Sequence, residues 1–258
     1  MYTLDHSDKT ALIFGVANHR SLAAGIAQKL HASGARLAFA YQNERLKGMV
    51  AKAVEDLGPS LLLECDVSMD EDLERAFREV GREFGHLDFL VHSVAYAMKE
   101  DLEGAYRDTS RDGFRTALDI SAYSLLPMAR LAAPLMAGRN GSIVALSYLG
   151  AERAVENYNV MGTAKAALEQ AVKQLALDLG KDGVRVNAIS AGPVNTLAAR
   201  GVSGFTNILK VYEERAPLHR NITKEEVGDA ALFLLSGMAS GITGTVLHVD
   251  AGYHIVGY

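Results

Sequence analysis

The sequence predicts one α/β domain built on a doubly wound, seven-stranded parallel sheet with helices on both faces. Three observations carry this reading. Short, near-continuous apolar runs alternate with longer amphipathic stretches along the whole chain, the pattern of strands buried on both faces and joined by covering helices. The 258 residues, 49% hydrophobic and 22% charged, suffice for a three-layer core. No composition break, low-complexity linker or repeat of solenoid length divides the chain, so residues 1–258 read as a single domain.

The elements follow in order. Residues 11–16 (ALIFGV) form a buried strand with glycine at its carboxyl end. Residues 21–32 carry Leu22, Ile26 and Leu30 at helical spacing, and Gly34 stops the helix. Residues 36–41 are a second strand, 44–57 a polar helical stretch ended by Gly58-Pro59, and 61–65 a third strand. Residues 70–84 form a charged amphipathic helix whose acidic first turn suits the helix dipole. A fourth strand spans 87–93, and after a loop holding 99–111 one long helix is expected over 113–136. A fifth strand over 141–147 leads to a helix over 158–179, then a sixth strand over 184–190. Residues 194–217 look less regular; a helix over 224–236 and a last strand over 245–250 complete a Rossmann-type order.

Bulk composition narrows the partners. A net charge of −5, with no strongly basic face, argues against nucleic acid. The single cysteine, Cys65, excludes an internal disulfide framework and reads as a buried strand thiol. Residues 1–9 lack the apolar core of a signal peptide, and no apolar run reaches membrane-span length. A cytoplasmic protein without a membrane segment is expected. The eight histidines are scattered without metal-ligand spacing, so no metal is expected, and His92 reads as structural.

The first strand–helix junction runs from Gly15 to Gly25. A small residue there lets the backbone approach a pyrophosphate, and the helix beginning at Ser21 and Leu22 offers free N–H groups. Ser21 could cap the helix and donate to phosphate. The glycines are ten apart, not clustered as in the usual fingerprint, so an ordinary strand–helix turn is the alternative. At the end of the second strand Gln42 replaces the expected acid and can bind a ribose; no lysine or arginine stands at 42 or 43 for a 2′-phosphate. This favours NADH over NADPH as the cofactor, with Arg45 the nearest complication. Asp66 could accept from an adenine amino group while the Val67 N–H donates to the ring; Asp66 could equally cap the next turn. Ser93 and Val94 end the fourth strand and should pass beneath a ribose. Three strand ends then face one crevice.

Tyr148, Tyr158 and Lys165 stand between the fifth strand and the helix after it. At 100° per residue, seven steps bring Lys165 to within about 20° of Tyr158, about 10 Å along the axis. Met161 and Ala164 fall near the same face. A phenol and an ammonium on one wall can hold cofactor and substrate side by side; the same spacing also fits two tyrosines closing a loop beside a solvated lysine.

The architecture resembles the short-chain dehydrogenase/reductase superfamily, whose usual pair is Tyr-x-x-x-Lys with a serine about thirteen residues before the tyrosine. Here Met161 stands four before Lys165, and the serine's place falls at Tyr148. The Tyr-x6-Lys spacing is similar to that of the bacterial enoyl-[acyl-carrier-protein] reductases (NADH type) of type II fatty acid synthesis. So are Tyr41-Gln42-Asn43, Cys65-Asp66-Val67, Val91-His92-Ser93, Ser121-Ala122-Tyr123-Ser124, Tyr158-Asn159-Val160-Met161, the AISAGP run at 188–193, and Gly241-Ile242-Thr243-Gly244 with Asp250-Ala251-Gly252-Tyr253.

That resemblance implies reduction of the C2–C3 double bond of an enoyl thioester: hydride to C3, an enolate held by Tyr158 as oxyanion donor, and a proton to C2. It implies that Lys165 binds the nicotinamide ribose and that Tyr148 lines the acyl pocket. Ala97, Met161 and Phe205 are implied at the substrate, with core packing the alternative for Phe205. The Val194 backbone, the Thr196 hydroxyl and Ala198 are implied at the cofactor, and a substrate-covering loop near 195–216. It further implies a homotetramer, for which Phe233, Leu234, Leu235 and the stretch 253–258 are candidate contacts, and an acyl carrier protein as partner. The family often carries basic residues beside the phenylalanine; here Ser203, Gly204, Thr206 and Asn207 flank it, and Arg200 and Lys210 are the nearest cations. A carbonyl or alcohol oxidoreductase of the same superfamily and a non-catalytic dinucleotide sensor are the competing readings.

Overall fold

A computed structural model describes residues 4–58, 60–196 and 204–257. Seven strands, β1 (Thr10–Phe14), β2 (Arg36–Tyr41), β3 (Leu61–Glu64), β4 (Phe89–His92), β5 (Ser142–Ser147), β6 (Arg185–Ala191) and β7 (Val246–Val249), form one sheet in the order β3-β2-β1-β4-β5-β6-β7. Every pairing is parallel, with Ile13 opposite Phe39 on one side and Val91 on the other. The strand order reverses between β1 and β4, which opens a crevice at their carboxyl ends.

Alternate residues of each strand feed two cores. Ile13, Phe39, Val91, Val144 and Ile189 face one side, where α1 (Leu22–Ala32) and α9 (Lys224–Leu235) pack. Leu12, Ala38, Leu90, Ala145 and Val186 face the other, covered by α3 (Asp70–Phe84), α6 (Leu125–Met136) and α7 (Asn159–Leu179). Each fully buried Leu, Ile or Phe contributes about 1.5–3 kcal/mol. The polar α2 (Glu44–Ala53) buries only Val50.

α1 and α9 approach closely because glycines meet. A Cβ at Gly25 would overlap the Lys224 carbonyl, and one at Gly228 would lie 2.7 Å from the Gly25 oxygen. At the amino end of the sheet, buried Asp88 accepts from the Thr10 N–H at 2.9 Å and from Arg139 Nε at 3.0 Å, with Lys9 at 3.3 Å.

Two expectations change. The long helix over 113–136 is two helices, α5 (Arg111–Leu118) and α6, joined by a π-turn at Asp119–Tyr123. At the break Ser121 bonds to the Tyr96 backbone, while the Ser124 hydroxyl donates back to the Ile120 carbonyl at 2.7 Å and also meets His92. The stretch at 194–217 carries an eleven-residue helix, α8 (Phe205–Arg215), begun by Gly204 at φ 77°. Before α5, the loop over 99–111 holds a short helix, α4 (Lys99–Leu102), and a 3₁₀ turn at Tyr106–Asp108. Among the described residues no helix is long and apolar enough to cross a membrane, and no group of three or more His, Cys, Asp or Glu is placed to hold a metal ion.

Candidate functional site

The crevice begins at Gly15. Its φ is +94°, and a Cβ there would overlap the Ser93 carbonyl, so β1 and β4 end in direct backbone contact only because the residue is glycine. Ser21 opens α1 but does not cap it: its Oγ turns back to accept from the Ala17 and Asn18 N–H groups at 3.0 and 3.1 Å. This corrects the expected cap and holds the turn between β1 and α1. The first turn, with Leu22 partly buried at its start, retains N–H groups without acceptors inside the helix. A backbone cradle without a Cβ, facing a helix N-terminus, fits the pyrophosphate of a dinucleotide.

Gln42 and Asp66, at neighbouring strand ends, bond to one another: Gln42 Nε2 donates to Asp66 Oδ2 at 3.0 Å. Asp66 also accepts from the Ser68 N–H at 3.0 Å and the Ser68 hydroxyl at 2.7 Å. Burial acts to raise its pKa, but these donors outweigh it and hold the carboxyl below its ordinary value. Asp66 thus also closes a local turn, while α3 starts from Met69. Val67, Ser93, Val94 and Ala97 are partly buried along the loops after β3 and β4.

The opposite wall is α7. Tyr158 immediately precedes it, flanked by Asn157 and Asn159 at φ 61° and 37°. Its ring lies flat against backbone: a Cβ at Gly150 would come within 2.5 Å of Tyr158 Cδ1, and one at Gly162 within 2.8 Å of the Gly150 oxygen. The Tyr148 ring meets it edge-on at 4.9 Å between centroids. Burial pushes both phenols above their ordinary pKa, so both are protonated donors at neutral pH. The Tyr158 hydroxyl has no hydrogen-bond partner among the described residues.

Lys165, one face along the same helix, is 5% exposed, which excludes the solvated alternative. Its Nζ donates to the Leu146 carbonyl at 2.7 Å, and burial lowers its pKa to about 8, opposed by Glu169. Met161 and Ala164 are buried between Tyr158 and Lys165. His92 is fully buried with Nε2 2.8 Å from Ser124 Oγ; burial first, then the Lys165 charge, lowers its pKa to about 3 and keeps it neutral.

The remaining expected residues lie on the far side. Val194 and Thr196 form a tight turn, with the Thr196 N–H donating to the Val194 carbonyl at 2.7 Å. Phe205 is the first residue of α8 and partly buried. Ala198 and Arg200, with the middle of the expected covering loop, lie outside the described residues.

Three contributors escaped the sequence reading. Gly150 and Gly162 shape the seat of Tyr158; their signal was only two small residues near a tyrosine. Tyr212 of α8 is 3% exposed, places its hydroxyl 3.5 Å from that of Tyr148, and stacks on Tyr253 at 3.7 Å. Nothing local in the sequence joins these tyrosines.

The profile of a family described as enoyl-(acyl carrier protein) reductase matches residues 15–254. The chain is 53% identical over 251 residues to an NADH enoyl-[acyl-carrier-protein] reductase of Bacillus cereus, covering 96% of this chain and 98% of that one. It is 52% identical over 249 residues to the NADH enzyme of Aquifex aeolicus (96% and 92% covered), and 51% identical over 255 residues to an NADPH enzyme of Staphylococcus aureus (98% and 99%). The crystal structure of the Aquifex aeolicus enzyme superposes with a TM-score of 0.96 at 51% identity, covering all of both chains.

Proposed function

The chain belongs to the enoyl-(acyl carrier protein) reductase family, and on that premise we propose which of its residues carry the reaction. The reaction is reduction of the C2–C3 double bond of an enoyl-acyl carrier protein thioester in fatty acid synthesis, with a nicotinamide cofactor. The cofactor, when bound, supplies the hydride that reaches C3. Negative charge then develops on the thioester oxygen, Tyr158 donates its hydroxyl hydrogen bond to that enolate, and C2 takes a proton to give the saturated thioester. A phenol held protonated by burial, with no competing partner among the described residues, suits that role. Tyr148 packs against Tyr158, orients it, and lines the acyl pocket with Ala97, Met161 and Phe205. Lys165 binds the nicotinamide ribose hydroxyls, and its charge favours the enolate.

Gly15, Ser21 and Leu22 cradle the pyrophosphate. Gln42 and Asp66 take the adenosine half with Val67, Ser93 and Val94 beneath it, and Val194, Thr196 and Ala198 close over the carboxamide side. NADH is the preferred cofactor, because no cation stands at 42 or 43 to meet a 2′-phosphate. The working form is a cytoplasmic homotetramer; of the expected contacts Leu234 and Leu235 are instead buried in the core, while Ile255, with Leu126, Leu177 and Met238, is exposed apolar surface for subunit contact. The acyl carrier protein approaches near α8, where Lys210 is exposed.

The observation that carries this reading is the seating of the Tyr158 ring on Gly150, beside Tyr148 and on the Lys165 wall. Steady-state assays with crotonyl thioester and with simple ketones, each with NADH and NADPH, test it. Turnover of the thioester with NADH at the higher kcat/KM is expected. Turnover of ketones alone would overturn the reaction; a higher kcat/KM with NADPH would overturn the cofactor assignment.

A further inference from the structure

Helix α8 is anchored by one side chain. Of its eleven residues only Tyr212 is buried, at 3% exposed. The Tyr212 ring stacks on Tyr253 at 3.7 Å between centroids, 17° from parallel, and its hydroxyl donates to the Tyr148 hydroxyl at 3.5 Å. A helix that buries so little takes its place from that anchor.

Tyr253 is itself held. It begins the 3₁₀ turn Tyr253–Ile255, after β7. The Arg153 guanidinium donates to the His254 carbonyl and, at 2.7 Å, to the Val256 carbonyl. The Arg153 N–H donates to the Leu149 carbonyl at 3.0 Å, and Leu149 directly follows Tyr148. These contacts close a ring that runs from Tyr148 through Tyr212, Tyr253 and Arg153 to the residue beside Tyr148. A second fastening lies just past α8. There the Leu218 N–H donates to the Ala251 carbonyl at 3.2 Å, and Gly252, at φ 86°, lets Pro217 approach; a Cβ would lie 3.0 Å from the Pro217 ring.

We propose that Tyr212 and Tyr253 are positioning residues for the acyl pocket: the turn after β7 seats α8 through the stacked rings and so sets Tyr148 and Phe205 against the acyl chain. The inference rests on the reading that Tyr148 and Phe205 line that pocket.

Helix geometry carries the effect from Tyr212 to Phe205. Phe205 stands seven residues earlier on α8, about two turns away and within about 20° of the same face. A shift of Tyr212 therefore carries Phe205 with it. The edge-on contact of Tyr148 with Tyr158 does not involve Tyr212, so the effect falls on substrate binding and leaves the enolate donor in place.

The test is steady-state kinetics with crotonyl thioester and NADH, beside calorimetric NADH binding and thermal melting of each variant. Tyr253→Ala removes the stack and should raise KM for the thioester about three- to tenfold, the scale of one aromatic pair. Its kcat should stay within about twofold and its NADH affinity unchanged, the signature of lost substrate binding alone. Tyr253→Phe keeps the stack and should return KM to within about twofold of wild type. Arg153→Met releases the turn without touching either ring and should also raise KM. Tyr212→Leu with Tyr253→Ala should raise KM no further than the larger single variant, because the two share one stack. A wild-type KM in folded Tyr253→Ala, or in Arg153→Met if Tyr253→Ala does not fold, overturns the inference. So does an equal KM rise in Tyr253→Phe, a matching loss of NADH affinity, or multiplied losses in the double variant. Tyr148→Leu separates the two ideas. If it raises KM while Tyr253→Ala and Arg153→Met do not, the pocket reading stands and the inference falls; if it leaves KM unchanged, the pocket reading falls first.

Discussion

The Tyr148 ring stands edge-on to the Tyr158 ring, 4.9 Å between centroids, and its hydroxyl points away toward Tyr212. On the proposed reading the two phenols have different tasks, Tyr148 orienting Tyr158. Tyr158→Phe removes the donor to the enolate and should lower kcat by about 10²–10³. Tyr148→Phe keeps the edge-on contact and should cost less than tenfold, by the small worth of one long hydroxyl contact. Single-turnover rates with crotonyl thioester compare them; equal losses would contradict the division.

Gly150→Ala should behave as an active-site variant although it carries no functional group. The added Cβ would sit 2.5 Å from Tyr158 Cδ1, so the ring must tilt. Displacement of about 1 Å at a reacting group costs on the order of 10² in rate. NADH affinity should stay near wild type, because the affected wall is the one proposed to face substrate. Calorimetric binding beside kcat measurements checks this split.

Cofactor choice should respond to residue 42. Gln42 is exposed and held only by Asp66 at 3.0 Å. Gln42→Lys places a cation where a 2′-phosphate would lie and pairs it with the Asp66 carboxylate. The ratio of kcat/KM for NADPH over NADH should rise by about tenfold, one new charge contact of roughly 1.4 kcal/mol. An unchanged ratio would move the ribose site elsewhere.

Acid should destabilise the fold through His92. Its folded pKa, about 3, lies below the ordinary 6.5 because burial, with Lys165 nearby, disfavours the imidazolium. The unfolded chain binds the extra proton first, so this contribution is complete above pH 6.5 and is lost as pH falls toward 3. At pH 5 the loss is about 2 kcal/mol. Urea midpoints from pH 5 to 8 should slope upward in the wild type and flatten in His92→Gln.

Much of this was legible in the residues because it is local. Apolar runs such as ALIF and SIVALS can only be strands buried on both faces, and the strand-end residues Gly15, Gln42, Asp66 and Ser93 follow from the alternation. The seven-residue step from Tyr158 to Lys165 is helix geometry. What stayed hidden depends on tertiary partners. The π-turn at Asp119–Tyr123 sits inside a sequence of helical periodicity, where Ser121 meets Tyr96 and Ser124 meets both Ile120 and His92. The helix Phe205–Arg215 was masked by the glycines before it. Tyr212 acquires its meaning from Tyr148, 64 residues away.

The meeting of Gly25 with Lys224 and Gly228 has a consequence for how the enzyme is born. The helix that opens at Ser21 is seated against α9, far along the chain, and the Lys224 ammonium also reaches the His19 carbonyl, 205 residues earlier, at 2.7 Å. A nascent chain that has emerged only through α7 already holds Tyr158 and Lys165, yet its first helix, packed on β1 and β2, still lacks α9. The turn between β1 and α1 is therefore completed only when residues about two hundred positions further along have folded against it.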